Sequence, residues 1–343
     1  RQSRYCCFCT EICTKVRCTD KMFMLIYNSY NVSVTQHKTT ERKIVMKKLI
    51  AMLLVLVLCL SSLSAVAERA PIAKEDIKIG FIYIGDESDE GWTYNHIVGQ
   101  EEMEAEYEGK IQSICKYNVP EDASVVDAID ELASEGCTVI FATSFGYEQF
   151  IQDVVEDYPE ITFCHCSGYQ CAGDDYDNTN NYFAEIYEGR YLAGVVAGLK
   201  LNELIENGDI TAEEAKMGYV GAFTYAEVIS GYTSFYLGAK SVCPTVTMDV
   251  QFTGSWYDAT EEKNAAEALI ARDCKLISQH ADSMGAPTAC ETKGVPNVSY
   301  NGSTVAACPN TFIVSSKIDW TPYIKLICES KQNNVAIPAD WTG

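Results

Sequence analysis

His280 and Asp282 stand two residues apart just after a β-type run, a spacing that could pass for an acid–base pair. General acid–base catalysis also needs a defined partner, a nucleophile or a metal, and none is evident nearby. The pair therefore reads as hydrogen-bonding groups for a ligand. Asp86, Asp89 and Glu90 put three acids in one loop, which could cage a cation but reads as solvated surface. Cys164 and Cys166 would share one strand face with Cys171 close by, which suits a metal or a disulfide. His165 would point to the other face, which argues against a metal. Cys6-x-x-Cys9 and Cys9-x-x-x-Cys13 have zinc-ligand spacings, yet a cytosolic metal module has no place ahead of an export signal. No GxxxxGK(S/T), no post-strand GxGxxG and no GxSxG occurs. The expectation is capture without chemistry, with no catalytic residue, no metal and no cofactor.

The export signal starts at Met46, where Lys47 and Lys48 precede an apolar run from Leu49 to Leu60 and the small triplet Ala65-Val66-Ala67. That order of basic, apolar and small residues marks a secretory signal at 46–67, too short for a membrane span of about 20 residues. Residues 1–45 then read as a non-native, disordered upstream extension. Cys59 could carry a lipid anchor, although Leu58 before it is larger than such sites prefer. Beyond Ala67 the chain has 16 basic and 45 acidic side chains, hence a net charge of −29. Such acidity argues against nucleic acid or an anionic membrane as a partner. Ten of the 16 cysteines also lie there, mostly in or beside apolar runs, so reduced thiols are expected.

Positioning of the candidate residues follows from the elements. Ile77–Ile84, Lys110–Cys115, Thr138–Ala142 and Ile161–His165 read as strands, separated by helical periodicity such as Val125, Val126, Ile129, Leu132 and Ala133. A second series follows Asn180 and Asn181, with strands at Met217–Ala222, Val246–Phe252, Lys275–Gln279 and Pro296–Tyr300. The fold class is α/β, two doubly wound parallel-sheet lobes joined by a hinge. Residues 76–180 and 317–343 are assigned to lobe 1 and 181–316 to lobe 2.

Open parallel sheets bind ligands beyond the carboxyl ends of their strands. The segments there are Asp86–Tyr94, Thr143–Tyr147, Ser167–Tyr169, Phe223–Tyr225, Gly254–Asp258, His280–Ser283 and Asn301–Ser303. Nearly all carry an aromatic or a small polar side chain, which suits a flat heteroaromatic ligand. Aromatic faces also stack on pyranoses, so a sugar stays open. A nucleoside-cleaving enzyme is the alternative of another class.

Gly91-Trp92-Thr93-Tyr94-Asn95-His96, Thr143-Ser144-Phe145-Gly146-Tyr147, Tyr187-Glu188-Gly189-Arg190-Tyr191-Leu192-Ala193-Gly194, Gln279-His280-Ala281-Asp282-Ser283 and Pro322-Tyr323 after Trp320 resemble the basic membrane protein family of ABC-transporter solute-binding proteins. The resemblance implies a type I periplasmic-binding-protein fold with three crossovers between lobes, and purine base or nucleoside capture for an ABC permease. It further implies an exported monomer, periplasmic or on the cell surface, with or without a lipid anchor. Trp92 matches a base-stacking aromatic, and Phe223 or Tyr225 a second from the other lobe. Tyr94, Phe145, Tyr147, Tyr169, Trp256, His280, Asp282, Asn301 and Trp320 complete the ligand-binding set. Ser167 and Asn301 stand where the family's nucleoside receptors carry acids, which brings a free base such as adenine forward. The family continues through a final lobe 1 strand, expected to be missing here.

Overall fold

The structure, a computed structural model, describes residues 73–172 and 176–343. The upstream extension, the signal peptide and Cys59 fall outside the described residues. Strands β1 (Lys78–Ile82), β2 (Gln112–Lys116), β3 (Val139–Ala142), β4 (Thr162–His165) and β5 (Thr179–Phe183) build the first sheet with β11 (Asp340–Thr342). Its order is β11-β5-β4-β3-β1-β2, all parallel. The second sheet has the order β10-β9-β8-β6-β7, also parallel. Its strands are β6 (Lys216–Gly221), β7 (Thr247–Phe252), β8 (Leu276–His280), β9 (Asn297–Tyr300) and β10 (Phe312–Ser316).

Helices cover both faces of each sheet, which is why the central strands are nearly continuous apolar runs. In the first lobe α1 (Trp92–Glu106) and α8 (Thr321–Asn333) pack on one face, where Ile79, Phe81, Met103, Tyr323 and Ile327 form a core. Ile82, Ile129, Leu132, Ile140, Ile151 and Phe163 fill the other face beneath α2 (Ser124–Ser134) and α3 (Glu148–Val154). In the second lobe α4 (Ile186–Asn207) and α5 (Ala226–Val242) cover Met217, Tyr219, Phe235 and Leu276. The opposite face carries α6 (Ala259–Ala271) and α7 (Gly285–Lys293), over Val220, Leu269 and Ile277.

Helices α4 and α5 meet backbone to backbone. A Cβ on Gly194 would lie 2.0 Å from the Phe235 carbonyl oxygen, and one on Gly238 would lie 2.0 Å from that of Tyr191. Only glycine permits that approach. It brings the one-turn-earlier Arg190 against the second sheet, where it is fully buried.

Three sequence expectations change. The division between lobes expected at 180/181 falls inside β5, which belongs wholly to the first sheet, so the chain leaves that sheet after Phe183. Asparagine disguised this strand, because its short polar side chain disfavours β structure unless it is satisfied. Here Asn181 Nδ2 donates to Asp340 Oδ1 at 2.7 Å and Asn178 Nδ2 to the carbonyls of Tyr158 and Ile161. The final strand expected to be missing is represented by β11, whose Asp340, Trp341 and Thr342 pair with Asn181, Tyr182 and Phe183. Of the three implied crossovers, two run between the sheets among the described residues, after β5 and after β10. No helix among the described residues is long and apolar enough to cross a membrane.

Candidate functional site

The carboxyl ends of both sheets face one another, and between them lies an inner cavity. Its aromatic lining is Trp92, Phe145, Trp256 and Tyr300; its polar lining is Ser144, Ser167, Glu227, His280 and Asp282, with Ile84 beside them. A wider outer chamber shares Ile84, Trp256 and Asp282 and adds Asp86, Asp89, Thr93, Glu121 and Phe223.

Trp92 opens α1. Asp89 holds that helix end, accepting from the backbone N–H groups of Gly91, Thr93 and Tyr94 at 2.9, 2.7 and 3.0 Å. Negative charge at a helix N-terminus is favoured by the exposed amides and the helix dipole. The acidic loop expected at the surface therefore contributes a buried helix cap. The indole N–H of Trp92 donates to the Thr143 carbonyl at 2.7 Å, and Trp320 packs edge-on behind the ring at 5.4 Å.

The opposite wall belongs to the second lobe. Phe145 stacks on Tyr225 at 4.6 Å, Tyr225 on Phe223 at 4.9 Å, and Phe223 meets Trp256 edge-on at 5.1 Å. Polar groups face both ways. Trp256 Nε1 and the Tyr300 hydroxyl are buried with no hydrogen-bond partner among the described residues. Glu227 accepts from Ser167 Oγ at 2.8 Å, from one lobe to the other. Asp282 has its backbone N–H on the Trp256 carbonyl at 2.9 Å, and no side-chain bond engages its carboxyl group among the described residues.

His280 and Asp282 do not form an acid–base dyad. His280 lies with Nε2 3.4 Å from Glu227 Oε1 and Nδ1 3.4 Å from the Tyr219 hydroxyl, and its ring stacks on Tyr300 at 3.9 Å. Burial lowers its pKa, against the pull of Glu227. The Asp282 carboxyl is pushed well above the usual carboxylate range, first by loss of water, then by the nearby charges of Asp89, Glu262 and Glu227.

Glu262 ties the two loops of this wall together. It accepts from the backbone N–H of Asp258 at 3.1 Å and from that of Ser283 at 3.2 Å. Burial pushes its pKa up to about 7 from 4.5, against these hydrogen bonds. A raised folded pKa means the folded state retains the proton. The resulting stabilisation is complete below about pH 4.5 and is lost as pH rises through about 7. From pH 5 to 8 the wild type is expected to lose about 1–3 kcal/mol relative to Glu262→Gln, measurable by urea unfolding at each pH.

A chain model describing ABC transporter substrate-binding proteins of the PnrA-like type, the Bmp family, matches residues 76–339. The chain belongs to this family. Members are substrate-binding proteins of ABC transporters, not enzymes; they work outside the cytoplasm, taking a small-molecule ligand and a membrane permease as partners. A purine-binding protein of Brucella abortus is 34% identical over 251 residues, covering 73% of this chain and 67% of the relative. A Haloferax volcanii protein proposed as an ABC transporter glucose-binding protein is 32% identical over 260 residues, covering 76% of this chain and 62% of the relative. The chain thus spans about two thirds of the length of these relatives. An ABC transporter solute-binding protein from Aeropyrum pernix shares the fold at a TM-score of 0.66 and 17% identity, with 78% of this chain and 74% of that one covered.

Of the expected residues, Trp92, Phe145, Trp256, His280 and Asp282 line the inner cavity, Phe223 the outer chamber, and Tyr225 backs Phe145. Other expected residues lie elsewhere. Tyr147 is buried in the core with its hydroxyl on the Val119 carbonyl, and Trp320 is core behind Trp92. Tyr94 and Tyr169 are exposed, at 41% and 71%. Asn301 bridges the lobes beside the crossover: Oδ1 accepts from Asn95 Nδ2 at 2.9 Å and from the Ile318 N–H at 3.2 Å. Glu227, Tyr300 and Ser144 were not singled out as ligand contacts from the sequence, yet all line the cavity, as does Ser167, which stands where the family's nucleoside receptors carry an acid.

The ten described cysteines are free. Cys164 and Cys166 join the core that holds Trp320, whereas Cys171 lies in the core on the other sheet face. Glu148, His165 and Cys171 bring ligand-type atoms within 4.8 Å of one another. Glu148 Oε1, however, already accepts from the N–H groups of Tyr169, Gln170 and Cys171. That carboxylate shapes the loop carrying Ser167.

Proposed function

We propose that this protein captures a purine base or purine nucleoside between its two lobes and presents it to an ABC permease. The observation that carries the reading is the inner cavity itself. Its lining sets aromatic faces against hydrogen-bonding groups, which suits a flat heteroaromatic ring. Trp92 offers a fixed aromatic face. Unpartnered donors on Trp256 and Tyr300, an acceptor on Glu227, and the Asp282 carboxyl, which when protonated both donates and accepts, match a ring that both accepts and donates hydrogen bonds. The purine-binding relative supports the same reading. A ribose would extend into the outer chamber past Asp282.

The relative proposed to bind glucose keeps a sugar as the competing reading. Calorimetry with adenine, hypoxanthine, guanine, adenosine, inosine, glucose and ribose separates the two. At least one purine is expected to bind in the micromolar range or tighter, about −8 kcal/mol or better. Folded protein that binds a sugar and no purine would overturn the proposal.

A further inference from the structure

Glu227 occupies a place that no other carboxylate lining the inner cavity shares among the described residues. It projects from the first turn of α5 in the second lobe and reaches Ser167, in the loop after β4 of the first lobe. Opening the cleft about the two crossovers must separate these residues. The Asn95–Asn301 bond, in contrast, sits beside the crossover at Ile318.

The surroundings of Glu227 define what it can still accept. Ser167 donates to Oε2 and His280 Nε2 lies 3.4 Å from Oε1. A carboxylate only accepts, so the neutral imidazole facing Glu227 carries its proton on Nε2 and leaves Nδ1 to accept from the Tyr219 hydroxyl. The imidazole is fixed by its stack on Tyr300. Each carboxylate oxygen accepts up to two hydrogen bonds, so each retains one acceptor position. Glu227, Ser167 and His280 all line the cavity beside Trp92 and Trp256.

We propose that Glu227 is a specificity-determining residue: it accepts a hydrogen bond from an N–H group of the ligand and, through Ser167, couples that recognition to closure of the lobes. The inference rests on the purine reading and deepens it, since it requires a purine that carries an N–H donor on its ring or on an exocyclic amino group. A ligand N–H bonded to the buried Glu227 carboxylate discriminates strongly, because a ligand without it leaves that group under-satisfied.

The test pairs ligand and protein changes. Adenine is compared with 9-methyladenine, which lacks the ring N–H, and with 6-dimethylaminopurine, which lacks the amino N–H, on the wild type, Glu227→Gln and Ser167→Ala. One of the two analogues is expected to bind the wild type at least about tenfold more weakly than adenine. In Glu227→Gln that penalty shrinks by about tenfold, while any steric part of it, common to both proteins, cancels. Ser167→Ala weakens all three ligands by a common factor of about threefold to tenfold and leaves their ratios unchanged. Penalties that agree within about twofold between the wild type and Glu227→Gln would overturn the role in recognition. Ratios altered in Ser167→Ala would overturn the division of labour between the two residues. If no purine binds the wild type, the functional reading fails first and this inference fails with it.

Discussion

Trp92→Ala is expected to weaken purine binding by about 30- to 700-fold, the equivalent of about 2–4 kcal/mol for a buried aromatic anchor. The effect is large because the ring is set before any ligand arrives. Asp89 caps the helix that Trp92 begins, Thr143 takes the indole proton, and Trp320 and His96 pack at 5.4 and 5.3 Å. A ring held this way loses little rotamer entropy on binding, so nearly all of its stacking and water exclusion contributes to affinity. Trp92→Phe keeps an aromatic face but loses the tether to Thr143, and should cost only about tenfold. The indole also belongs to the first-lobe core, so the alanine variant should lose about 3–5 kcal/mol of stability. Calorimetry well below its melting temperature, with near-ultraviolet circular dichroism as the check on folding, separates these effects. A folded Trp92→Ala protein with unchanged affinity would make the indole a core residue alone.

The strands that carry the site were legible because their burial is continuous. Val139, Ile140, Phe141 and Ala142 are buried on both sheet faces, and an apolar run bounded by polar residues announces that. Val125, Ile129 and Leu132 likewise gave α2 away, since they form one buried stripe at helical spacing. β5 escaped because the polar side chains of Asn178 and Asn181 find hydrogen-bond acceptors distant in sequence, the latter at Asp340. The site was legible to the level of its loops. Parallel strands must bring their carboxyl ends together, so reading the post-strand segments found Trp92, Phe145, Trp256, His280 and Asp282. What a loop sequence does not encode is which side chain turns inward. Phe145 and Tyr147 are two residues apart in one short turn, yet one lines the cavity and the other is anchored in the core by Val119. Asn301 adopts a left-handed backbone, at φ 61°, and gives its side chain to the crossover. Glu227 and Tyr300 lie inside a helix and at a strand end, just outside the segments a loop-based reading considers. Counting the first helical turn and the last strand residue along with each loop would have found both.

Arg190→Ala is expected to cost about 3–5 kcal/mol of stability. The guanidinium is fully buried, and among the described residues no carboxylate pairs with it. Its charge is met instead by Ser299 O at 2.9 Å, the hydroxyls of Ser278 and Ser316, and the faces of Phe235, Tyr219 and Tyr300 at 5.0, 5.5 and 5.6 Å. One side chain of α4 thereby ties β8, β9 and β10 together and backs the Tyr300 ring on which His280 stacks. Alanine would leave a cavity the size of the lost side chain and strand the Ser278 and Ser299 partners. Thermal unfolding should fall by roughly 6–20 °C, at about 2–4 °C per kcal/mol for a domain of this size. Arg190→Met separates packing from charge, because it fills much of the volume without donors. If the guanidinium organises the strands, the methionine variant will fall between alanine and wild type and bind purine more weakly, as Tyr300 and His280 lose their support. Should Arg190→Met melt within about 2 °C of the wild type, the charge would contribute nothing and the aromatic ring around it would be ordinary packing.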